Sequence, residues 1–165
     1  MNHTELAELW NSAHTAWAEN QPLPGALDPL RACYTGTNKF GVDELAMPEP
    51  WTGDLTANPV AVTLSMHPGS ADPAFHHRGG AWANTIQDQH AGSSAGWAAK
   101  GPYFGDVWES AHGANAHAAH RLRFLSAWTG VDLTPSQVVD FPVFPWHAAD
   151  WNSSAFQLDP AVLQE

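Results

Sequence analysis

Cysteine is nearly absent from this 165-residue chain: Cys33 stands alone. A single thiol excludes an intramolecular disulfide and the multi-thiolate zinc sites, so Cys33 is expected as a buried, inert side chain. Basic residues are almost as scarce. Six Lys+Arg stand against 17 Asp+Glu, a formal net charge of −11, which opposes any general attraction to a phosphate backbone. A cationic contact would have to be local, built from Arg78, Arg121 and Arg123 with Lys100 near them in sequence. No apolar run approaches the roughly 18 residues of a membrane span, and the opening MNHTELAELW carries acidic residues where a secretory signal needs basic ones. A cytoplasmic protein without membrane contact is the expectation. Neither a P-loop nor G-x-G-x-x-G occurs, and Ser65 lacks the G-x-S-x-G elbow, so nucleotide cofactors and elbow-type serine hydrolysis have no motif to rest on.

What is present is apolar and aromatic. Hydrophobic residues make up 44% of the chain and nine are Trp, enough for one domain with its own core. Leu6, Leu9, Trp10, Ala13 and Trp17 recur at helical spacing behind a cap at Asn2 or Thr4, and Pro22, Pro24 and Gly25 end that helix. The segment up to residue 58 is rich in Pro, Gly and Asn and reads as irregular. Val60 to Met66 is an apolar strand that stops at His67-Pro68-Gly69, and its lack of polar alternation suggests a parallel sheet buried on both faces. The stretch on to about Pro102 reads as loop. Trp108, Ala111, Asn115, Ala118, Leu122, Leu125 and Thr129 share one stripe of a helix expected over 106–129, weakened at Gly113 and capped at Gly130. Val138 to Val143 is the second strand, ending at Phe144-Pro145-Trp146-His147.

Strand, loop, helix, strand is the order of a parallel crossover, so the chain is expected to be α/β, a single domain over 1–165 with its core in 59–150. In such a sheet ligands bind beyond the carboxyl ends of the strands. The His67-Pro68-Gly69 and Phe144–His147 segments would then lie side by side at the site.

Two stretches, ELAMPEPWTGDLTANPVAVTLSMHPG and VVDFPVFPWHA, together resemble a branch of the uracil-DNA-glycosylase-like superfamily. In that branch an L-P-E-P segment precedes a strand ending in L-N-P-G, and a later strand ends in F-P-Y-H. The likeness spans about residues 43 to 150. It implies a three-layer sandwich around a short parallel sheet, DNA as partner, no cofactor, and hydrolysis of the N-glycosidic bond of a damaged base. The superfamily's catalytic loop, written G-Q-D-P-Y, G-x-N-P-G or G-E-x-P-G, falls here on Ser65-Met66-His67-Pro68-Gly69. His67 stands where relatives carry the Asp or Asn that positions water, and is the implied catalytic base through its neutral imidazole. Ser65, Met66, Pro68 and Gly69 would shape the base pocket. Phe75 would stack the extruded base, Arg78 would face phosphate, and Trp146 and His147 would wall the pocket, with Asp140 where relatives have Asn.

Two features depart from the pattern. His67 replaces the usual acid or amide. The superfamily's two further strands and second conserved loop find no counterpart before Ala161–Glu165, so the sheet is expected to be incomplete, with edges open to self-association or a partner chain. A non-catalytic binding protein of the same fold is therefore the alternative to an enzyme. His117 and His120 lie one helical turn apart, but no acidic residue joins them as in H-E-x-x-H, so no metal site is expected there.

Overall fold

A computed structural model describes residues 2–57, 59–90 and 92–157. The chain-terminal residues 158–165, on which the expectation of an incomplete sheet partly turned, lie outside them. Helix α1 (His3–Ala18) starts on a full capping box, in which Asn2 accepts from the Thr4 and Glu5 amides and Glu5 returns a carboxylate to the Asn2 amide. Its inward face, Trp10, Ala13, His14 and Trp17, is buried. Helix α2 (Asp28–Ala32) follows, and strand β1 (Ala61–Ser65) pairs in parallel with β2 (Val138–Pro142), from Ala61 opposite Val138 to Ser65 opposite Pro142. The chain is thus α/β. The ladder continues past β2, where the Val143 and Phe144 amides donate to Ser65 and Met66, so the two carboxyl-terminal loops leave the sheet together.

Between the strands lie α3 (Pro73–His76), α4 (Ala81–His90), α5 (Ser94–Ala99), α6 (Asp106–His112) and α7 (Ala116–Thr129). Two expectations change here. The stretch read as loop up to Pro102 holds three short helices. Asp72 caps α3 with Pro73 in its first turn, Ser93 caps α5, and Trp82, Ile86 and Trp97 turn inward. Gly and Pro there separate short helices instead of excluding them. The helix expected over 106–129 is in fact two. Gly113 adopts φ +71°, a left-handed conformation that ends α6, and the Asn115 side chain restarts the chain by capping the Ala118 amide.

The core is a packed set of rings: Trp82 touches Phe75, Trp97, Tyr103 and Trp108, while Trp146 packs on Trp10 and Phe144. Ala61, Leu125, Leu133 and Val138 form a smaller cluster under α7. Cys33 is buried, as expected. The outer edge of β2 is not open. Thr52 exchanges both backbone hydrogen bonds with Asp140 at 2.9 Å, and this approach requires Gly53, at φ +105°, where a Cβ would lie 2.1 Å from the Val138 carbonyl oxygen. On β1, burial on both faces does not hold, since Val62 and Leu64 are 59% and 76% exposed. Among the described residues no helix is long and apolar enough to cross a membrane.

Candidate functional site

A cavity of about 250 Å³ opens at the carboxyl ends of β1 and β2, the position that the strand order predicted. Glu49, from the Pro48-Glu49-Pro50 segment, lines it. The Glu49 amide donates to the Pro145 carbonyl at 2.7 Å, the Met47 amide donates to His76 at 2.8 Å, and the His14 Nε2 donates to the Pro48 carbonyl at 2.7 Å. Each of these contacts ties the segment to a different part of the fold.

The Glu49 carboxylate is buried, 2% exposed, and held by three groups. Tyr103 presents its hydroxyl to both carboxylate oxygens, at 2.7 and 2.6 Å. His76 and His147 each place Nε2 3.3 Å from the same oxygen, Oε1. Burial pushes the Glu49 carboxyl upward, but the His147 imidazole beside it, the charge of His76 and the Tyr103 hydroxyl outweigh that, and Glu49 stays below the usual carboxylate range. Burial together with Glu49 raises the Tyr103 phenol well above its ordinary value and keeps it a donor. Burial also lowers His76, against the pull of Glu49.

On the strand side, Asp140 accepts from Thr63 at 2.6 Å and Ser65 at 3.0 Å, and pairs with Arg121 of α7 at 2.6 Å. Arg121 is therefore engaged by protein carboxylate. Ser65, Pro68, His67, Arg121, Asp140 and His117 all line the cavity.

His67 is half-buried there. Its ring stacks on Trp151 at 5.0 Å, and its Nδ1 accepts the Gly69 amide at 3.0 Å. In the neutral ring Nε2 then carries the proton, so toward the cavity it is a donor. Burial, and next the proximity of His147, depress its pKa.

His147 is buried behind the cavity wall. Its Nδ1 donates to the Gly69 carbonyl at 3.1 Å, and the Ala148 amide donates to the same oxygen. Three segments singled out in the sequence, around Glu49, Gly69 and His147, thus meet at one point.

Other expected site residues lie elsewhere. Phe75 is buried in the ring cluster against Trp82 and Trp108, with its face taken. Trp146 is likewise a core residue. Met66 is largely exposed and is not among the cavity-lining residues. Arg78 donates to the Trp17 carbonyl at 2.6 Å and lies over the Trp17 ring, at the far end of α1. Glu49 and Tyr103 carry no role in the sequence reading, and His76-His77-Arg78 reads there as a phosphate-facing loop or a solvated turn, whereas His76 is buried against Glu49. The available signal was an acid between two prolines inside the apolar run LAMPEPW, a setting in which a solvated Glu is unusual. No family model, no curated protein and no solved structure matches this chain.

Proposed function

We propose that the cavity binds a nucleoside unit of DNA and hydrolyses its N-glycosidic bond, in the manner of the uracil-DNA-glycosylase-like superfamily that the Pro48–Pro50, Ser65–Gly69 and Phe144–His147 segments resemble. One observation carries this reading: Glu49, Ser65, His67 and Pro68 line one cavity at the carboxyl ends of a parallel strand pair, and the Phe144–His147 segment, about a hundred residues from Glu49 in sequence, backs it through the Glu49 amide bond to Pro145 and the His147 bond to Gly69. The fold would be the N-terminal portion of that superfamily's three-layer sandwich.

The chemistry suits an anionic cavity. As the C1′–N bond breaks, its electron pair leaves with the base and the sugar becomes cationic; the buried, ionised Glu49 carboxylate favours that charge. Water then bonds to C1′ and gives its proton to Glu49. His67, neutral and with Nδ1 engaged by Gly69, donates a hydrogen bond from Nε2 to the departing anionic base and keeps its proton, instead of serving as the base that the motif position implies. Phe75 plays no stacking part in this reading.

The test is a base-excision assay on single- and double-stranded oligonucleotides containing uracil or hypoxanthine, scored as alkali-labile sites. Product is expected from the wild type and should fall by roughly 100-fold or more in Glu49→Gln, the scale of a lost acid–base group. Absence of product on every substrate from folded protein would reject the reading. It would leave the non-catalytic alternative, which has its own support in the exposed apolar row Val62, Leu64 and Met66 along β1.

A further inference from the structure

We infer that Glu49, His76 and His147 form a binding site for one divalent transition-metal ion of the zinc class. The inference does not rest on the reaction assigned to the cavity: it concerns ion uptake alone, and that reaction uses Glu49 in the ion-free site.

The donor atoms already have the spacing of a coordination shell. The three lie within 4.8 Å of one another, with Glu49 Oε1 3.3 Å from each imidazole Nε2. Charge-assisted hydrogen bonds in a dry interior close to about 2.7–2.9 Å. Two ligands bonded to one ion at about 2.0–2.2 Å, at a tetrahedral angle, stand about 3.4 Å apart. The observed spacing matches the second case.

Both rings are turned for ligation. His147 Nδ1 can only donate to the Gly69 carbonyl, 3.1 Å away, which directs Nε2 at Glu49; that Nε2 is buried and, among the described residues, makes no hydrogen bond. His76 Nδ1 lies 3.0 Å from the Asp72 carbonyl and 2.8 Å from the Asp72 amide. In the ion-free ring Nδ1 accepts that amide and Nε2 lies 3.2 Å from the Tyr103 hydroxyl; an ion at Nε2 replaces the Tyr103 contact and moves the ring proton to Nδ1, which then donates to the Asp72 carbonyl. A ligating His whose other nitrogen donates to a backbone carbonyl is the usual outer-shell arrangement, and Tyr103 supplies the matching hydrogen bond to the carboxylate. Two imidazoles and one carboxylate suit Zn²⁺, Co²⁺ or Fe²⁺ and are poor ligands for Ca²⁺ or Mg²⁺. Glu49 and His76 both line the cavity, so a further ligand position faces it, as in sites where an ion polarises water.

The full chain, stripped with a chelator, would be titrated with Zn²⁺ by calorimetry and followed in thermal unfolding. One equivalent should bind and raise Tm, because the ligands come from three separate segments and the ion binds the folded state alone. His76→Gln and His147→Gln should each weaken uptake by more than about 100-fold, beyond the about 10–100-fold that outer-shell changes cost. His3→Gln and His120→Gln, both exposed and outside the cavity lining, should leave it intact. Should the ligand variants fail to fold, the ligand-field spectrum of wild-type protein loaded with Co²⁺ decides, showing a low-coordinate, nitrogen-bearing site or the pattern of the aqueous ion. Folded wild type that takes up no Zn²⁺, uptake abolished by the His3 or His120 variant, or an aqueous-type Co²⁺ spectrum would overturn the assignment and leave a buried histidine–carboxylate cluster. A failed excision assay with intact Zn²⁺ uptake would reject the proposed reaction and not the site.

Discussion

His14 ties helix α1 to the segment that carries Glu49, and its burial makes that tie dependent on pH. Burial lowers the His14 pKa from 6.5 to about 4, with the Pro48 carbonyl and the Glu49 charge only partly opposing it. The folded protein therefore keeps the ring neutral while the unfolded chain takes up a proton below pH about 6.5, so stability rises with pH across this window and is lost as pH falls. With a folded value about 2.5 units below the unfolded one, the whole effect is about 3 kcal/mol, and about 2 kcal/mol of it should be gone between pH 7.5 and pH 5. Urea unfolding followed by Trp fluorescence measures this directly. Other groups titrate in the same range, so the informative quantity is the difference between wild type and His14→Gln, whose amide can still donate to Pro48 but does not titrate. The wild type should lose about 2 kcal/mol more than the variant on going from pH 7.5 to pH 5. Parallel pH profiles for the two proteins would refute the reasoning and mean that His14 is reached by solvent or finds a partner for its second proton.

Three further outcomes follow from packing and local geometry. Trp82→Ala, at the centre of the ring cluster, should cost about 3–5 kcal/mol in chemical denaturation. Gly53→Ala must place a methyl group against the Val138 carbonyl in a left-handed conformation; it should cost at least about 1–3 kcal/mol, and amide exchange at Asp140 should speed up as the Thr52 bridge opens. Asn115→Ala removes the cap of α7 and should cost about 1 kcal/mol, with a matching fall in urea midpoint.

Where neighbouring residues decide the outcome, the sequence sufficed. The α1 cap and its apolar stripe, the two apolar strands and their turn-rich ends follow from local chemistry, and strand order alone places a cavity at the carboxyl ends. Ser65, His67 and Pro68 line it because Ser65 ends β1 and the other two come just after it. Tertiary structure decided the rest. Gly113 is a break and not a weak spot because its positive φ ends α6 and the Asn115 cap opens α7, while caps start α3 and α5 and Trp82 of α4 and Trp97 of α5 find each other in the core. Phe75 looked available as a loop aromatic until Trp82 and Trp108 took its faces. The Glu49, His76 and His147 cluster spans about a hundred residues, and no periodicity connects them. An acidic residue in an acidic chain reads as solvated surface. Only the fold removes Glu49 from water, and only then do the Tyr103 hydroxyl and the two imidazoles become the groups that determine its charge, because electrostatic partners act over a few ångströms of space and not along the sequence.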